Sequence, residues 1–302
     1  MSPRQLHPEV RRLRTLFWLR GLLTRLRMKT VIELGQFIER DARERTGTSR
    51  DKKWRDFDRV GRSPRTWLVA LAETRSHCSP CDGQVVPGAG SRAEFDHVLW
   101  EVLGTLDAEA VLVRQWIDRL SPKVRALMLS ALERRAERGR FIAPIPTHRE
   151  LNQLELLAGL DALAAVTIVV RQAHLVRRHN VAHEAGQSLC KMLWMVAPMF
   201  VDRGVCEELF EVYEWLVLPL TARRLFGDGG YRLRLEQHGL LARVGWLHAQ
   251  AYPNGSTAWR ALPNRDWALR VRSTMKDHGF SDYYIDRILD RDQINKVYDA
   301  GA

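Results

Sequence analysis

An all-α fold is what this sequence predicts: a basic helical module over residues 1–80, then a larger helical bundle body over residues 91–302. Three observations predict it. Strict apolar/polar alternation over five or more residues, the mark of a half-buried strand, is scarce. Helix-start signals are frequent. The charge is also uneven: residues 1–65 hold 18 Lys and Arg against 8 Asp and Glu, which accounts for +10 of the formal net charge of +11. The 302 residues, 45% hydrophobic and 27% charged, have the composition of a globular chain of one large domain or two ordinary ones. That excludes collagen-like, mucin-like and acidic-tail proteins.

The first element is His7–Lys29. Val10, Leu13, Leu16, Phe17, Leu22, Leu23 and Leu26 recur at helical spacing among arginines. Such a helix can lie on a membrane surface. The favoured reading packs its apolar face on its own protein and lets the arginines snorkel outward.

Next comes Thr30–Glu73. Val31, Leu34, Phe37 and Ile38 have helical spacing, and Thr46–Ser49 gives a turn with Ser49 as N-cap. The following RDKKWRDFDRV sets Trp54, Phe57 and Val60 on one face and Arg50, Lys52, Lys53, Arg55 and Arg59 on others. Gly61 suits a left-handed helix stop. Ser63-Pro64 then reads as an N-cap and first helical position, leading into Trp67, Leu68 and Leu71.

Ser76–Ser91, rich in Gly, Pro and Ser, reads as a long loop. Ser91-Arg-Ala-Glu94 and Thr147-His-Arg-Glu150 read as capping boxes, each opening an apolar helical period. Ser121-Pro122 is another helix start. The two prolines of Phe141–Pro146 stop a helix, since neither has an amide to donate. Residues 147–226 read as long helices with strongly apolar faces. Gly227–Gly230 is a turn, and 231–302 reads as helices around an irregular Tyr252–Asp266, where Asn254-Gly255 is a hairpin signal. The candidate divisions of the body fall near 141–146 and 227–230.

On these residues, the segment 30–73 resembles the helix-turn-helix modules of repressor type, in which a short basic helix follows a turn, ends at Gly and precedes a Pro-initiated helix. The resemblance covers some 45 residues. It implies that the second helix packs its apolar face on the first and lays its other face in the major groove of DNA. Arg50, Lys52, Lys53, Arg55 and Arg59 would then face nucleic acid, with the Ser49 amide available to a phosphate. Arg11, Arg12, Arg14, Arg25 and Arg27 of the preceding helix would extend the phosphate contacts. The competing reading is a plain three-helix subdomain in which Trp54, Phe57 and Trp67 are core.

Other candidate sites are weaker. Cys78 and Cys81 form one CxxC beside His77, with His97 as a further donor, whereas structural zinc needs four thiolate or imidazole ligands. They read as loop cysteines, and no metal and no cofactor are expected. His174, His179 and His183 lie on one predicted helix, with His179 and His183 at i,i+4. The order is not HExxH, the arginines around them repel a divalent ion, and a solvated face is expected. An anion pocket with Arg171, Arg177 and Arg178 is the alternative. Asp282, Asp286 and Asp290 recur at i,i+4, the pattern of an exposed acidic helix face near Arg287 and Arg291.

No phosphate-binding Gly loop and no GxSxG elbow occurs. No export signal and no run of about 20 apolar residues occurs either, so the reading is cytoplasmic, with no membrane partner. The expected function is nucleic-acid binding, with duplex DNA as the favoured ligand, by a transcription-regulator or mobile-element-accessory type of protein. The body would sense, dimerise or dock a partner protein. The alternatives are a scaffold whose basic arm docks RNA or an acidic protein, and a nucleic-acid-processing enzyme with no readable motif.

Overall fold

The computed structural model describes residues 6–40, 51–76, 90–105, 110–136, 146, 148–224, 230–251, 265–281 and 283–288. It is mostly helical, as the periodicity predicts. The N-terminal part holds α1 (Pro8–Arg25), α2 (Val31–Ile38), α3 (Asp51–Val60), α4 (Thr66–Ser76) and α5 (Ser91–Phe95). The body continues with α6 (Val98–Gly104), α7 (Ala110–Asp118), α8 (Pro122–Ala136), α9 (His148–Leu157), α10 (Leu160–Leu175), α11 (His179–Val201) and α12 (Cys206–Leu216). A single 3-10 turn, Leu218–Thr221, leads to β1 (Arg223–Arg224) and β2 (Gly230–Arg234), then α13 (Leu240–Ala251), α14 (Arg265–Asp277) and β3 (Tyr284–Ile288).

The centre of the body is the hairpin of α10 and α11. Its two apolar runs, Ala162–Val170 and Met192–Ala197, are buried over their whole length. A helix apolar all round has to be covered on all sides, and α6, α9, α12 and α13 supply the cover. No helix among the described residues is long and apolar enough to cross a membrane.

Buried apolar side chains fall into two clusters, and α1 belongs to both. Val10, Leu13, Leu16 and Phe17 enter the body's cluster, where Phe17 lies 4.7 Å from Phe200 and 5.4 Å from Trp100 between ring centres. Trp18, Leu19, Leu22 and Leu26 enter a second cluster with Leu34 and Ile38 of α2, Trp54 and Phe57 of α3, Leu68 and Val69 of α4, and Phe95 of α5. The module is therefore built around one face of a helix whose other face is part of the body.

Local signals hold unevenly. Pro122 opens α8, and Gly61 stops α3 at φ +68 with its amide bonded to the Phe57 carbonyl. The expected start at Ser63-Pro64 is displaced: α4 begins at Thr66, and the Arg65 carbonyl accepts its first amide bonds. The Ser91 capping box does not form. Ser91 is the first helical residue, its hydroxyl donates to Glu73, and Glu94 turns to arginines of other elements. A capping box that the sequence reading passed over, Thr30 with Glu33, does open α2. Thr147 and Asn254-Gly255 lie outside the described residues.

Residues 231–302 are not wholly helical. β1, β2 and β3 form a three-stranded antiparallel sheet in that order, with Tyr231 opposite Arg287 and Arg232 opposite Asp286. The alternation in GYRLR and YIDRI is only five residues long, too short to read alone, and pairing across some 50 residues decides it. Asp286 therefore sits on a strand, not on an acidic helix face.

Candidate nucleic-acid interface

α3 is a short helix with a sharply divided surface. Trp54 and Phe57 are buried and Lys52, Arg55 and Arg59 are exposed. The three cations stand at i, i+3 and i+7, one face of a helix. Two devices fix α3 against α2. Gly35 of α2 has no side chain where the Trp54 ring lies, so that a Cβ there would meet Trp54 Cδ1 at 2.4 Å. Glu39, 3% exposed, accepts from Trp54 Nε1 at 2.5 Å and from Lys53 Nζ at 2.8 Å. A buried carboxylate is retained at low cost only when its oxygens are met by such donors.

The other end of α3 is pinned to α1. Arg12 lies directly on Gly61, where a Cβ would come within 2.8 Å of the Arg12 Cα. Arg20 pairs with Asp58 at 3.4 Å and donates to the carbonyls of Arg203 and Gly204 at the end of α11. Arg14 donates to Ser63 Oγ at 3.3 Å and lies over the Phe95 ring at 4.2 Å; its burial lowers its pKa. Ser63 thus holds the α3–α4 connection to α1 instead of capping a helix.

Between α3, its connection and α4 lies a cleft of about 600 Å³, lined by Lys52, Lys53, Asp56, Phe57, Arg62, Ser63, Arg65, Trp67 and Leu68. A shallower hollow of about 520 Å³ shares Asp56, Arg62 and Ser63 with it and adds Arg11 and Val60. The two adjoin through these three residues, and together they gather Lys52, Lys53, Arg11, Arg62 and Arg65 around the apolar side chains of Phe57 and Leu68. Trp67 is 51% exposed, so it is not core as the plain three-helix reading requires. Its ring centre lies 5.5 Å from Lys53 Nζ, within the range of a cation–π contact.

The sequence-derived site residues separate into three sets. Lys52, Arg55, Arg59, Arg11 and Arg27 have no carboxylate ion pair among the described residues. Arg12, Arg14, Arg25 and Lys53 are engaged internally: Arg12 with Glu9 at 3.7 Å, Lys53 with Glu39, Arg25 with Glu94. Arg25 in particular belongs to a network in which Glu94 also takes Arg203 at 2.8 Å, while Arg203 covers the Phe17 ring at 3.7 Å. Ser49 and Arg50 lie outside the described residues, as do Cys78 and Cys81. Arg62 and Arg65, both exposed and both on the cleft, were not singled out from sequence, because they stand in a connection and not at helical spacing.

The weaker candidates change character. The three histidines do not share one helix, since His174 lies in the last turn of α10 while His179 and His183 lie on α11. His174 and His183 are buried, not on a solvated face, and each bonds to the backbone after α12, at Leu220 and Thr221. Burial lowers both pKa values. Arg171 is buried too and donates to the Leu103 carbonyl at 2.8 Å; burial lowers its pKa to about 10. It ties α10 to α6, while Arg177 stands exposed at the turn after α10. His97 caps α6 through Nδ1 and pairs with Asp161 at 3.2 Å, which leaves both its nitrogens engaged. Among the described residues no three His, Cys, Asp or Glu are grouped to hold a metal ion. No protein-family model, no curated protein and no solved structure matches this chain.

Proposed function

We propose that this protein binds nucleic acid through the cationic depression and the outward face of α3, and that the helical body carries this module and serves sensing, dimerisation or partner docking. The observation that carries the reading is the sorting of the arginines. Those that face the body are tied to carboxylates or carbonyls, while Lys52, Arg55, Arg59, Arg62 and Arg65 crowd one short stretch with no carboxylate ion pair among the described residues. Cations that outnumber the one carboxylate on the cleft, Asp56, repel one another, and a polyanion relieves that repulsion. The resemblance to repressor-type modules agrees with it: the Trp54–Phe57 face of α3 packs on α2, which leaves Lys52, Arg55 and Arg59 outward.

The test is fluorescence anisotropy with labelled 20-residue duplex and single-stranded probes between 50 and 300 mM salt. Log affinity should fall linearly with log salt, with a slope of about 0.9 per phosphate contact on duplex and about 0.7 on a single strand. Charge reversal at three exposed positions, K52E with R62E and R65E, should abolish binding to both probes and leave the melting curve unchanged. Binding that survives the triple reversal overturns the proposal. Capture of an acidic protein with no affinity for either probe would favour a docking role instead.

A further inference from the structure

We infer that the cleft takes an unpaired stretch of nucleic acid, with one base stacked on Trp67 and the flanking phosphates on Lys52, Arg62 and Arg65. This rests on the nucleic-acid reading and narrows it from polyanion to single strand.

The shape argues first. A duplex offers a convex surface of phosphates and groove edges, and its base faces are already stacked. It cannot fill a concavity of about 600 Å³, which lies in the ordinary range for sites that enclose a small molecule. A splayed base can. The lining argues second. Buried Phe57 and Leu68 give the cleft apolar carbon, and half-exposed Trp67 gives it an aromatic ring. Stacking platforms flanked by cations are how proteins hold single strands without reading sequence.

Preorganisation argues third. The cation over the Trp67 ring is Lys53, which buried Glu39 holds in place, and Glu39 is itself fixed by Trp54 Nε1. The aromatic ring and its cation thus stand ready without a ligand. Asp56 argues fourth. A carboxylate on the cleft repels a continuous phosphate track, but it is an acceptor for the exocyclic amino group of a base. One acid among the cations of the cleft suits a base edge at half-buried Asp56 and phosphates on the exposed Lys52, Arg62 and Arg65.

The experiment compares labelled 12-residue oligo-dT, oligo-dC and a 12-base-pair duplex on the full-length protein at 150 mM salt. Both single strands should bind at least tenfold more tightly than the duplex. Trp67→Ala should weaken the single strands by about 5- to 150-fold, the range of one lost stack, and change duplex binding less than twofold. Trp67→Phe should restore most of the loss. Asp56→Asn should weaken oligo-dC more than oligo-dT. Since Trp67 is half exposed, an unchanged melting curve for Trp67→Ala separates a lost stack from a lost fold. Equal losses on duplex and single strand, or no loss on either, would overturn the stacking role while leaving the broader proposal standing. Salt-independent binding, or none to any of the three probes, would defeat that proposal itself.

Discussion

Placing a methyl group at Gly35 tests the packing that presents the cationic face. In the native contact, an ideal Cβ at this position would lie 2.4 Å from Trp54 Cδ1 and 2.7 Å from both Cγ and Nε1. Carbon atoms are at rest about 3.5–4.0 Å apart, so the indole would have to retreat by about 1 Å. Trp54 is fully buried, and overpacking a closed core costs about 1–3 kcal/mol. The retreat also stretches the bond from Nε1 to Glu39, and bonds to charged groups are worth about 1.5–3 kcal/mol. Against this, alanine is the better helix former by about 1 kcal/mol. The net loss for Gly35→Ala is about 1.5–5 kcal/mol. Gly245→Ala, in α13, is the control, because nothing lies within 4 Å of its added Cβ. It should gain about 0.5–1 kcal/mol from helix propensity alone. Urea denaturation followed by far-ultraviolet circular dichroism measures both. Gly35→Ala should also weaken binding to either nucleic-acid probe, since α3 shifts with its tryptophan. A Gly35→Ala protein as stable as Gly245→Ala would refute the account of how α2 and α3 meet.

Acid should destabilise the protein before its carboxylates titrate. His174, His183 and His248 all have pKa values lowered by burial, His248 to about 3 where it stacks on Trp267. Each is neutral in both states above about pH 6.5, and below that the unfolded chain takes up protons that the folded chain resists, so stability falls as pH falls. For His248 alone the loss by pH 5 is about 2 kcal/mol, and His248→Gln should remove it. A stability difference between wild type and His248→Gln that is the same at pH 7.5 and pH 5 would contradict this. Glu94→Gln should cost about 2 kcal/mol, less than the loss of a fully buried pair because Glu94 is 22% exposed. It leaves Arg25 and Arg203 facing each other, and chemical denaturation that shows no loss would mean that Glu94 does not link α1 to α11.

The helical architecture was legible because its evidence is local. A period of 3.6 over Leu151, Leu154 and Leu157, proline at the head of α8 and glycine at the end of α3 each act within one or two turns. The same period reads on through Leu160 and Leu163, but the helix breaks at Ala158-Gly159 and they belong to α10. The basic front was legible too, because net charge is a sum over residues and needs no coordinates. What a sum cannot say is which cations remain available. Arg25 and Lys53 look alike in sequence to Arg55 and Arg59, yet the first two meet Glu94 and Glu39, which arrive from other helices. Arg62 and Arg65 were missed for the opposite reason: they sit in a connection with no period to mark them, and only the turn of the chain brings them beside Lys52. Trp67 follows the periodicity of a buried residue and is nonetheless half exposed, since the α3–α4 connection opens a cleft where a neighbour would otherwise stand. The sheet was unreadable for a related cause, because β2 and β3 are each five residues long and become strands by pairing with one another. Sequence alone determined that the chain is mostly helical and at which end positive charge gathers, both of which depend on near neighbours or on plain addition. Tertiary structure decided which charges are neutralised and which aromatic ring stays uncovered, because burial and ion pairing are set by residues distant in the chain.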